Sequence, residues 1–184
     1  MGSEYHPTNV TNNMADQSEP PATIAQMKES VGSLFMLWSR VEADLAKAID
    51  DLSAPSHTDK PHGIGRSLAT WKALHDAVSD CHPDHSKVVE SLHTHLKEAL
   101  SLRNSIAHGL DGYGVAESDG SSEAHFRCSL KGGPEVITLD QLRACLTQLS
   151  RGRTHIGRLT YAALRPGELG LKSLYDDLSA SLER

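Results

Sequence analysis

Residues 22 to 52 read ATIAQMKESVGSLFMLWSRVEADLAKAIDDL. Apolar side chains return at Ile24, Met27, Val31, Leu34, Trp38, Val41, Leu45, Ile49 and Leu52, in steps of three and four. That repeat lays one continuous stripe along a helix; a strand, whose faces alternate at every residue, has no use for it. In the middle, Phe35, Met36, Leu37 and Trp38 are apolar in every direction. A helix greasy all round is expected to be covered on more than one side, by its own bundle or by a second subunit. Pro55 and Pro61 end the pattern and frame a loop.

The remaining chain continues in helical periods with one interruption. Leu68, Trp71 and Leu74 predict a shorter helix from about Ile64 to Val78. His82-Pro83-Asp84 breaks the chain, and Asp84 is placed to cap a third helix with the stripe Val88, Leu92, Leu96, Ala99 and Ile106. Gly109 is expected to stop it. Glycines at 112, 114, 120, 132 and 133 then bracket short alternating pieces. His125–Leu130 and Glu135–Ile137 read as hairpin strands, and Gly112 and Gly114 as turn glycines. Thr138 caps a fourth helix, Leu139 to about Leu164, with the spine Leu142, Leu146, Leu149, Ile156 and Leu159. Gly152 and Gly157 are expected to bend it. Pro166-Gly167 ends it, and an amphipathic helix, Leu171–Leu182, closes the chain. Residues 1–20, polar and without period, read as a disordered tail. The expected architecture is therefore all-α: one domain over residues 21–184, a bundle of four to five helices, with a small β-hairpin insertion (109–138) between the third and fourth.

Composition narrows the function classes. With two Phe, two Trp and four Tyr in 184 residues, the core must be aliphatic, which suits packed helices. The net charge of -6 counts against a protein that coats nucleic acid non-specifically, without excluding a local basic groove. Cys81, Cys128 and Cys145 are odd in number and widely spaced, so neither a disulfide framework nor a zinc knuckle is indicated. There is no apolar run of membrane-spanning length and no signal-peptide layout, so a reducing cytoplasm without membrane attachment is expected.

One residue resists the packing account. Arg103 fills the gap in the third helix's apolar stripe between Ala99 and Ile106. A guanidinium there must be paired or serve a ligand, because burying it alone costs several kcal/mol. Asn104 follows, and His108 stands at the helix end. Five residues turn an ideal helix by roughly 140° and lift it about 7.5 Å, so Arg103 and His108 do not share a face. Either the last turn unwinds at Gly109, or two copies of the motif meet across a symmetric dimer.

The stretch Arg103-Asn104-Ser105-Ile106-Ala107-His108-Gly109, closing an apolar helix, resembles the Arg-x(4–6)-His motif of HEPN domains. The Trp38-Ser39-Arg40-Val41-Glu42 segment on the first helix and the order of elements over residues 22–165 are compatible with it. The resemblance implies a dimerising helical bundle and, in active members, a metal-independent endoribonuclease without cofactor. Arg103, Asn104 and His108 of each subunit would line a shared cleft. An imidazole can take or give the protons of 2′-hydroxyl attack at neutral pH, and a guanidinium fork neutralises the phosphate. Asn104 would orient the phosphate or the imidazole, and Glu42 would pair with Arg103. The family also implies toxin–antitoxin or defence roles, with an antitoxin or nucleotidyltransferase as partner. Some members carry a tyrosine two residues after the histidine for modification; Leu110 stands there in this chain, and Tyr113 lies too far along.

The fourth helix adds Arg143, Arg151, Arg153, Arg158 and Arg165 against one acid, Asp140. Such a face could track an RNA backbone or be solvated and paired with acids elsewhere. For Arg103, Asn104 and His108 the competing account is a structural network, which makes the protein a non-catalytic dimerisation or adaptor module. Cys81, His82, His85, His93 and His95 cluster in sequence, but His93 and His95 point in nearly opposite directions, so no metal site is expected.

Overall fold

The computed structural model describes residues 21–53, 61–78, 82–118, 121–130, 132–166 and 171–182. The expectation of a disordered tail over residues 1–20 lies outside the described residues, as does Cys81. Five helices and three strands follow in the order α1 (Ile24–Leu52), α2 (Ile64–Asp76), α3 (His85–Gly109), β1 (Leu110–Ser118), β2 (Ser121–Leu130), β3 (Gly133–Thr138), α4 (Leu139–Leu164) and α5 (Leu171–Leu182). The protein is thus mostly helical, with a three-stranded antiparallel sheet in the order β1-β2-β3 between α3 and α4. The helical bundle with a small β insertion between the third and fourth helices is as expected; the insertion is a three-stranded sheet instead of a hairpin, the nine-residue β1 being the added strand, so the chain is not purely all-α.

Local chemistry starts the two longest helices. Thr23 accepts a hydrogen bond from the Gln26 amide while the Gln26 side chain accepts from the Thr23 amide, a reciprocal cap on α1. Thr138 and Gln141 repeat the arrangement on α4. Asp84 occupies the cap position of α3, but its side chain makes no capping bond.

The stripe of α1 is buried at Met27, Leu34, Trp38, Val41, Leu45, Ala48 and Ile49, packed chiefly against α4 and secondarily against α2. Of the quartet greasy on all sides, Trp38 is buried, Phe35 and Leu37 are half-buried, and Met36 is 66% exposed. α3 lies between α2, α4 and α5, and its C-terminal part meets β2. Ala124, Phe126 and Cys128 of β2 and Ile137 of β3 turn into the same core. The Ala124 amide donates to the Ala22 carbonyl at 3.0 Å, tying the sheet to the start of α1.

Three glycines permit close approaches between elements. Gly109 is not in the left-handed region; among the described glycines only Gly63 and Gly133 are. A Cβ at Gly109 would lie 2.8 Å from Leu130 Cγ and 2.9 Å from the Ser129 carbonyl oxygen, so its bare backbone lets the last turn of α3 rest on β2. Gly114, expected in a turn, lies mid-strand opposite His125, whose imidazole would be 2.7 Å from a Cβ there. Gly152 is buried, with its missing Cβ 3.2 Å from Leu96 Cδ2, so it lets α4 approach α3.

Candidate functional site

The end of α3 carries the motif on a helix that stays regular. α3 runs unbroken through Gly109, and Leu110 enters β1 directly with extended backbone. The last turn therefore does not unwind, and within one chain Arg103 and His108 remain splayed by the helix itself.

Arg103 is half-buried. Its Nη1 donates to Asn104 Oδ1 at 3.1 Å, and its guanidinium carbon lies 5.3 Å from the centroid of the Phe35 ring on α1. Its Nε is enclosed without an acceptor, and no carboxylate pairs with it among the described residues. A cation in this setting is held by aromatic carbon and one neutral amide oxygen, which leaves most of its five donors for something else. Glu42 is exposed and makes no ion pair with Arg103. It stands seven residues beyond Phe35, roughly 10.5 Å farther along α1, which explains the gap.

His108 is exposed, and its side chain makes no hydrogen bond or ion pair among the described residues. Between the two, Ile106 is buried and Ser105 Oγ donates to Glu135 Oε2 on β3 at 2.9 Å. Sequence reasoning missed Glu135 as a neighbour of the motif. The signal was available in its parity: Glu135 shares a strand face with Ile137, which points into the core.

Two of the arginines of α4 find acids on other elements, and a third lies near an acid of α4 itself. Arg153 Nε meets Asp44 of α1 at 2.8 Å, Arg158 meets Asp177 of α5 at 3.3 Å, and Arg143 lies 3.7 Å from Asp140. Arg165 stacks on Tyr161. Only Arg151 of this set has no partner among the described residues. The basic face is therefore largely neutralised within the chain.

The histidine-rich stretch resolves into a buried hydrogen-bond chain rather than a cluster of ligands. His75 Nδ1 lies 3.1 Å from His85 Nε2, and His85 Nδ1 lies 2.7 Å from the Tyr175 hydroxyl, joining α2, α3 and α5. His82 stacks on the Tyr175 ring. Burial above all, then the neighbouring His85 imidazole, pushes His75 down to about 3, and burial likewise lowers His85. Both are neutral linkers at physiological pH. Among the described residues no group of three or more His, Cys, Asp or Glu side chains is placed to hold a metal ion. This network, too, was legible: His75 falls four residues after Trp71 and seven after Leu68, on the apolar stripe of α2.

Neither described cysteine offers a nucleophile: both are buried, and burial pushes the Cys145 thiol up to about 11. No helix among the described residues is long and apolar enough to cross a membrane. Comparison of the chain with protein-family models, with curated proteins and with solved structures finds no match.

Proposed function

We propose that the protein is a HEPN-like, cytoplasmic RNA-binding protein that cleaves RNA without a metal, as a symmetric dimer in which Arg103, Asn104 and His108 of both subunits line one cleft. The observation that supports this reading is the state of Arg103. A half-buried guanidinium has already given up much of its hydration, yet it faces an aromatic ring and an amide oxygen instead of a carboxylate. A phosphate diester supplies the anionic oxygens that this fork lacks.

In the proposed reaction an RNA 2′-hydroxyl attacks the adjacent phosphorus, and one His108 imidazole accepts its proton. The imidazolium so formed returns a proton to the departing 5′-oxygen, leaving a 2′,3′-cyclic phosphate and a 5′-hydroxyl. Arg103 neutralises the charge that grows on the non-bridging oxygens, and Asn104 holds the guanidinium in place. Because the helix splays Arg103 and His108 apart in one chain, the reading requires the second copy. The exposed Met36, next to the Phe35 on which Arg103 rests, supplies an apolar contact beside the cleft. An antitoxin that covers this cleft is the partner the reading implies; modification at the position of Leu110 is not.

A second reading has its own support. Arg103 on Phe35 and Ser105 on Glu135 tie α3 to α1 and β3, as they would in an adaptor module with no chemistry. Incubation of RNA with the protein in excess chelator separates the two. Cleavage with cyclic phosphate ends that disappears in His108→Ala, whose fold is intact, supports the ribonuclease. Intact RNA with the wild-type dimer supports the adaptor.

A further inference from the structure

Arg151 stands at the rim of a cavity of about 400 Å3 between α3, α4 and α5. Its apolar wall includes Leu92 and Leu182, and its polar lining includes His95, Gln148 and Ser181, with no carboxylate among the described lining residues. The close approach of α4 to α3 at Gly152, against Leu92 and Leu96, sets the depth of this groove and brings the neighbouring Arg151 over it.

Several side chains around the groove can donate hydrogen bonds into it. The Arg151 guanidinium has no partner among the described residues, whereas Arg143, Arg153 and Arg158 all face acids. His155 lies behind Ser181, with Nε2 3.0 Å from Ser181 Oγ and Nδ1 enclosed without a partner. An enclosed N–H without an acceptor is the costlier defect, so the ring proton sits on Nε2 and is donated to Ser181 Oγ. Burial first, and then the Arg158 and Arg151 charges, keep His155 neutral. Ser181 therefore has its own hydroxyl proton free to donate. The Gln148 amide adds N–H donors, and the His95 imidazole adds another.

We propose that this groove is a binding site for a small phosphate monoester on an apolar or aromatic body. The phosphate oxygens meet Arg151, Ser181 and Gln148, and the body lies against Leu92 and Leu182. The volume falls in the usual range for small-molecule sites, about 300–1,000 Å3. Donors from a guanidinium fork, a hydroxyl and an amide suit the three terminal oxygens of a phosphate better than the two of a carboxylate. The site stands apart from the proposed ribonuclease cleft and does not depend on it.

The test is an amide-detected NMR titration of the full chain with phenyl phosphate, inorganic phosphate, benzoate and a single-stranded RNA oligomer. Phenyl phosphate is expected to shift the Gln148, Arg151 and Ser181 amides saturably, binding about tenfold tighter than inorganic phosphate or benzoate. Arg151→Gln should weaken it by about tenfold or more, while Arg143→Gln, which removes an exposed charge outside the groove, leaves it unchanged. No saturation by about 10 mM overturns the proposal, as does equal binding of benzoate or equal loss in the two variants. RNA shifting these amides where phenyl phosphate does not also overturns it, and assigns the groove to the nucleic acid.

Discussion

The Arg103 guanidinium carbon lies 5.3 Å from the Phe35 ring centroid, so the most deeply placed cation of the motif is seated on carbon and not on an acid. The ring fixes the plane of the fork without consuming its donors. A lysine at the same place would keep the charge but lose both the plane and the bidentate geometry.

Arg103→Lys is accordingly expected to fold with a melting temperature within about 4 °C of the wild type. Its RNA cleavage rate is expected to fall by about 10²-fold or more. Melting curves and single-turnover cleavage measure the two effects separately. Equal activity of the lysine variant would show that the fork geometry is irrelevant.

Glycine identity matters where backbone meets backbone. Gly109→Ala would bring a methyl group 2.9 Å from the Ser129 carbonyl oxygen, and neither α3 nor β2 can yield cheaply. It should cost about 1–3 kcal/mol in urea unfolding. Gly157→Ala, with nothing within 4 Å of the added Cβ on a helical backbone, should instead stabilise by about 0.4–1 kcal/mol. A neutral result at Gly109 would contradict the close seating of α3 on the sheet.

Acid should loosen the junction of α2, α3 and α5. The folded protein holds His75 neutral down to about 3, whereas the unfolded chain protonates it near 6.5. Between those values the unfolded state binds more protons, so stability is lost as the pH falls through the window, by up to about 1.4 kcal/mol per unit. His85, lowered in the same direction, adds to the slope. Denaturant midpoints measured from about pH 7 to about pH 5 should drop less steeply in His75→Leu than in the wild type. Parallel slopes would show that the buried pair does not set the acid response.

The helices were legible because their stripes persist for several turns and their caps are local: Thr23 with Gln26 and Thr138 with Gln141 need no tertiary information. β1 was illegible because Gly112 and Gly114 break its alternation, and because Tyr113 and Val115 remain 61% and 54% exposed on an edge strand with little core to cover them. Arg103 could be singled out as an anomaly on its stripe, but not the ring that receives it. Phe35 belongs to another helix, and no spacing in sequence relates the two. Likewise the count of arginines on α4 could not reveal that Asp44 and Asp177 neutralise two of them from α1 and α5.

The decisive measurement is complementation between inactive variants. Arg103→Ala and His108→Ala protomers, each purified and then mixed under exchange conditions, are assayed for RNA cleavage in chelator. A composite cleft regains one intact site in each mixed dimer, so activity returns on mixing from two silent preparations. Silence of the mixture, with the wild type active and mixed dimers present, would contradict a site shared between subunits.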